Sequence, residues 1–164
     1  MISHYSVCAR LPTQPNSTQL NSPSTRIAFI KIHAEPVFKI LYVSRLAPAC
    51  DFGVVKAIVA VARAFNSEHA ITGALLFDGE RFGQLLEGTE AEVQALMSRI
   101  ALDRRHTHVT VLYAGASLTG RTMKRWASGY CDACAFESFD CATGLRDRPA
   151  LDAFVSVLGG ADLD

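Results

Sequence analysis

The spacing of apolar positions changes several times along this chain, and each change marks an element. Residues 38–44, Phe-Lys-Ile-Leu-Tyr-Val-Ser, form a short run rich in β-branched and aromatic side chains, which predicts a buried strand. From residue 52 to 65 the apolar positions fall at Val54, Val55, Ile58, Val59, Val61, Ala62 and Phe65, a helical stripe that Asp51 is placed to cap. Residues 71–77 and 82–86 are two further apolar runs, and Asp78-Gly-Glu-Arg81 between them is a hairpin signal. A second helix is predicted over 91–102. Thr89 is its N-cap, Glu90 and Glu92 lie in its first turn, and Val93, Leu96, Met97 and Ile100 form its apolar face. Past the charged turn Asp103-Arg-Arg-His106 come a strand at 109–113, a last strand at 126–130 and a helix at 149–158. The order βαββαββ predicts an α+β, ferredoxin-like fold. Two helices cross one face of a mixed sheet, and the final helix packs on the other.

Residues 1–36 break this regularity with clustered Ser, Thr, Asn and Pro, and we expect a disordered leader there. The leader carries no acidic residue before Glu35, as in organelle transit peptides, but its prolines and two arginines up to Arg26 make a poor amphipathic helix. Residues 37–130 are expected to form the domain proper and 131–164 an extension with a short helix. That extension is too short for an output domain of ordinary size.

Charge narrows the function. With 16 basic and 16 acidic side chains the formal charge is zero, so no long-range field draws the chain to nucleic acid or an anionic membrane, and a ligand belongs in a pocket. No run approaches the roughly 20 apolar residues of a spanning helix, and five scattered cysteines without a secretory signal suit a reducing cytoplasm. Cys131-Asp-Ala-Cys134 has the spacing of a metal or redox pair, but no second such pair follows and no His lies near it. Nucleophile elbows, phosphate loops and HExxH are all missing, so the sequence shows no machinery for an enzyme.

What stands out instead is polar residues inside apolar strands, because a buried polar group must find a partner or lose stability. Tyr42 lies between Leu41 and Val43, Gln84 lies beside Leu85 and Leu86, and Asn66 closes the first helix. Singly, each has an ordinary structural explanation: a core tyrosine with a bonded hydroxyl, a helix C-cap, a strand filler.

Together they form a pattern. Leu41-Tyr-Val-Ser-Arg45, Asn66 followed by Ile71-Thr-Gly-Ala-Leu-Leu-Phe77, Phe82-Gly-Gln-Leu-Leu-Glu-Gly88 and Asp103-Arg-Arg-His106 stand in the order and spacing of BLUF domains. Over residues 39–130 the chain resembles this family of flavin-binding blue-light sensors. The resemblance implies FAD between the two helices, with Tyr42 as electron and proton donor, Gln84 between its hydroxyl and the flavin, and Asn66 at the polar ring edge. It also implies Ser44, Arg105 and His106 as cofactor-binding residues, the last two toward the phosphate side.

The resemblance further implies that light rearranges the hydrogen bonds around Tyr42 and Gln84, and that the change passes to a separate protein partner or between the subunits of a homo-oligomer. Trp126 and residue 128 are the implied relay. The family has Met at the latter position, whereas this chain has Ser128, which cannot fill the same volume. Glu87-Gly88 matches the strand end of the family and by itself reads as an ordinary turn, and Met123 is read as core. The alternative is a non-photoactive ferredoxin-like module that binds a small metabolite or a partner protein.

Overall fold

The computed structural model describes residues 36–140 and 144–164. The leader expected at the start of the chain therefore lies outside the described residues up to residue 35, as do Cys8 and Cys141. The elements are β1 (Val37–Leu46), α1 (Phe52–Glu68), β2 (Thr72–Phe77), β3 (Arg81–Gly88), α2 (Glu90–Leu102), β4 (His106–Ser117), β5 (Trp126–Tyr130), α3 (Ala133–Glu137), α4 (Asp147–Leu158) and β6 (Asp162–Leu163). They build one sheet of order β4-β1-β3-β2-β5-β6. Among the described residues only the β2–β5 pairing is parallel, which makes the sheet mixed as expected.

Alternation along the strands explains why both faces are covered. On β1, Leu41 and Val43 point to one side, where Phe136, Phe139, Phe154 and Leu158 pack from α3, the turn after it and α4. Ile40 and Tyr42 point to the other side, toward Val93 and Met97 of α2, while Val55 and Ile58 of α1 cover Leu75, Phe77 and Phe82 beside them. With both faces buried, the central strands are near-continuous apolar runs. Among the described residues, no helix is long and apolar enough to cross a membrane.

The local signals act as anticipated. Asp51 Oδ1 accepts from the N–H groups of Gly53 and Val54 at 2.9 and 3.2 Å, and Thr89 Oγ1 accepts from Glu92 N–H at 3.4 Å. In the hairpin, Asp78 Oδ1 accepts from Glu80 and Arg81 N–H, while Gly79 takes the φ of +104° that a side chain would resist.

Three expectations change. Asn66 is not a C-cap: α1 runs on to Glu68 and His69 caps it, with its N–H donating to Phe65 O at 3.1 Å. β4 is 12 residues long, because an edge strand paired only with β1 tolerates exposed polar residues such as His108. It carries two register shifts against β1, with His108 at φ +52° in the second.

Third, Glu87 is no ordinary turn residue but lies within β3. It is fully buried and pairs with buried Lys39 at 2.8 Å, while accepting from the N–H groups of Thr122 and Met123 at 2.6 and 2.9 Å. A carboxylate out of water needs such partners, and these tie the β4–β5 loop to the sheet. Met123 is only half-buried there, its side chain against the α4-side core.

Candidate functional site

Strand register places four side chains in one row across the face that α1 and α2 cover. Tyr42 pairs with Gln84, Gln84 with Leu75, and Leu75 with Ser128. Tyr42 Oη donates to Gln84 Oε1 at 2.6 Å, with both residues buried. Burial, reinforced by the negative charge of Asp103, pushes the Tyr42 phenol well above its ordinary pKa, so it stays protonated and remains a donor.

Above this row a cavity of about 170 Å³ opens between the helices. Phe65 and Ala62 of α1 and Leu96 and Ile100 of α2 wall it, and Tyr42 and Gln84 face it from the sheet. Asn66 borders it as well: 1% exposed, it has no hydrogen-bond partner among the described residues for either its Nδ2 or its Oδ1. A buried amide left unsatisfied costs about 1–3 kcal/mol, a cost that a ligand offering both a donor and an acceptor would remove.

Arg105 and His106 complete the rim on the side of the Asp103 turn. Arg105 is held by Asp103 at 2.5 Å through Nη2 and at 3.0 Å through Nε. Burial lowers the His106 pKa; Asp103 opposes that shift and Arg105 adds to it, so the ring is neutral at neutral pH. Ser44 Oγ lies 3.0 Å from His106 Nδ1, which places Ser44 one step behind the cavity wall.

The structure thus gathers Tyr42, Asn66, Gln84, Arg105 and His106 around one slot, with Ser44 behind. Trp126 and Ser128 lie elsewhere: the buried Trp126 Nε1 has no partner among the described residues, and Ser128 Oγ donates to Asp164 Oδ1 at 2.8 Å. Two contributors were not anticipated. Asp103 orients Arg105, and Arg99 lies at the cavity with its guanidinium 4.5 Å from the Phe65 ring centre. The helical period could have shown Arg99, since Leu96 and Ile100 flank it on the inward stripe of α2.

The Cys131–Cys134 pair behaves differently. Burial, with Asp78 and Asp132 adding, pushes the Cys131 thiol up to about 11, which disfavours its thiolate form near neutrality. Among the described residues no cluster of His, Cys, Asp or Glu is arranged to hold a metal.

An apolar slot with an unpartnered amide on one border and guanidinium groups on another suits a flat heteroaromatic ring with a polar edge and a phosphate-bearing tail. At about 170 Å³ the slot is smaller than the roughly 300–1,000 Å³ of pockets that enclose drug-sized ligands.

Comparison with known proteins agrees. The family model for BLUF, sensors of blue-light using FAD, matches residues 37–129. The blue light- and temperature-regulated antirepressor BluF of Escherichia coli is 37% identical over 70 residues, which are 41% of this chain and 17% of that protein. The dark-state structure of BlrB, a BLUF protein, superposes with a TM-score of 0.64 at 21% identity over 77% of this chain and 97% of that one, a likeness of fold. Klebsiella pneumoniae BlrP1 with FMN and cyclic diGMP gives a TM-score of 0.54 at 30% identity over 76% of this chain and 30% of that chain. The matched segment is a small part of the antirepressor and of BlrP1. The family model spans more than half of the chain, including the strands that carry Tyr42 and Gln84, and the chain belongs to the BLUF family of flavin-binding blue-light sensors.

Proposed function

We propose that residues 37–130 bind FAD between α1 and α2 and sense blue light by rearranging the hydrogen bonds of Tyr42 and Gln84. The supporting observation is the buried 2.6 Å bond from Tyr42 Oη to Gln84 Oε1 beside the unpartnered Asn66 amide. Bound flavin supplies blue absorption and an excited state that accepts an electron. Every other part belongs to the chain. Tyr42 gives the electron and, once oxidised, releases its proton along the bond it already makes to Gln84. Gln84 presents an acceptor to Tyr42 and a donor to the other side, so turning or tautomerising its amide reverses the pattern on both sides.

Asn66 holds the polar ring edge, His106 with Ser44 behind it packs the adjoining wall, and Arg99 and Arg105 supply positive charge for phosphate. Two guanidinium groups suit the two phosphates of FAD, one for each, where FMN offers a single phosphate. Residues 131–164 are an extension of this sensor domain. In a cytoplasmic protein the change passes to a separate protein partner or between subunits of a homo-oligomer, without turnover of a substrate.

The protein purified in darkness is expected to be yellow and to red-shift reversibly under blue light, and chromatography of acid-released cofactor should return FAD. Protein that stays colourless after reconstitution with FAD sinks the proposal; FMN in the extract overturns the choice of FAD alone.

A further inference from the structure

We infer that the outer edge of β5 is a docking surface for an extended peptide strand, which this chain caps with its own β6 in the dark and uncaps through Ser128 under blue light. The inference rests on the light-driven change proposed for Gln84.

Ser128 ends the row that begins at Tyr42, and all its polar atoms are engaged by Asp164. Its Oγ and N–H both donate to Asp164 Oδ1, at 2.8 and 3.1 Å, and its carbonyl accepts from Asp164 N–H at 3.0 Å. Arg63 of α1 reaches the same carboxylate oxygen at 2.8 Å. These bonds and the pairs Gly129↔Leu163 and Tyr130↔Asp162 hold β6 on β5. The fit is specific: a Cβ on Gly129 would lie 2.9 Å from Leu163 Cδ2 and would collide with the carbonyl oxygen of Asp162. Position 129 is bare so that β6 can approach.

The cap is weak by construction. β6 has two residues, and the ion pair that secures it is half-solvated, with Arg63 44% and Asp164 64% exposed. Such pairs contribute little, and short peripheral strands are the first parts of a fold to open.

Residue 128 is where the family carries Met. A thioether adapts to small shifts, whereas a hydroxyl bond weakens steeply with distance and angle. Ser128 therefore turns a small displacement of the Gln84–Leu75–Ser128 row into the loss of a bond.

Beside β6 lies a groove of about 690 Å³, walled by Val55 and Val59 of α1 and by Leu75, Phe77 and Tyr130 of the sheet, with Asp162 and Asp164 on its far side. Releasing β6 leaves the N–H and C=O groups of β5 unpaired next to this apolar groove, the arrangement that strand addition satisfies. The occupant is defined by what it replaces: an extended segment with an apolar residue followed by a carboxylate, as in Leu163-Asp164, the carboxylate returning to Arg63 and Ser128.

The test uses the full chain and a fluorescein-labelled peptide of residues 159–164. In wild type, blue light should raise hydrogen exchange at 162–164 severalfold and allow the peptide to bind, both reversing as the absorbance recovers. Asp164→Ala and Gly129→Ala should exchange rapidly at 162–164 even in the dark while keeping the red shift, and Asp164→Ala should bind the peptide without light. A wild-type protein that red-shifts with exchange at 162–164 unchanged overturns the inference, as does a peptide that binds neither protein. If the red shift itself is absent but Asp164→Ala still takes the peptide, the light reading fails and the docking edge stands.

Discussion

Tyr42→Phe should retain flavin and lose the light-induced red shift completely. Phe fills the same buried volume, so the slot keeps its floor, but it has neither a proton to release nor a hydroxyl to donate to Gln84. The side effect on stability is small. Gln84 Oε1 loses its buried donor, which costs about 1–3 kcal/mol, within the roughly 5–15 kcal/mol that holds a domain folded. Gln84→Leu removes the other half of the pair and should give the same dark spectrum without a photocycle. Difference spectra before and after illumination measure both variants, and a normal red shift in the two together would refute the roles assigned to this pair.

Glu87→Ala should be the most damaging single change to stability, at about 3–5 kcal/mol, because it strands the Lys39 ammonium in the interior. It also removes the acceptor for the Thr122 and Met123 N–H groups, so the loop before β5 loses its anchor. Urea unfolding measures the loss. Lys39→Met in the Glu87→Ala background should recover part of it by removing the unpaired charge, and a Glu87→Ala protein as stable as wild type would show that the pair contributes nothing.

The same pair sets an acid limit. Burial by itself would raise the Glu87 pKa, but the Lys39 bond and the N–H groups of Met123 and Thr122 outweigh it and bring the pKa below the ordinary 4.5. Asp103, held by Arg105, falls to about 2. Both groups have folded-state values below their unfolded ones, so their stabilisation is fully present above the ordinary carboxylate range and is lost as pH falls through the folded values. The melting temperature should therefore hold near neutrality and decline below about pH 4.5, the unfolded Glu value. Glu87→Ala should show a shallower decline.

Much of this was legible in the sequence because the information was local. Asp51 and Thr89 cap the helices that follow them, Asp78-Gly79 makes the hairpin it announces, and the apolar run at 38–44 forms the strand that carries Tyr42. These depend on residues within about four positions of one another, where periodicity and capping chemistry operate. The family motifs added the grouping of Tyr42, Asn66 and Gln84, which lie 18 to 42 residues apart and which the structure brings to one slot.

The tertiary structure alone decided what each long-range polar group meets. Nothing near Glu87 in the sequence announces Lys39, Thr122 or Met123, and nothing near Ser128 announces Asp164 or Arg63. Ser44 meets His106 only because β4 pairs with β1 through a bulge. Local propensity and apolar period specify elements and the faces they bury. The partner of a buried charge or hydroxyl is fixed only when distant strands come into register, because desolvation makes pairing obligatory while leaving the choice of partner to the fold.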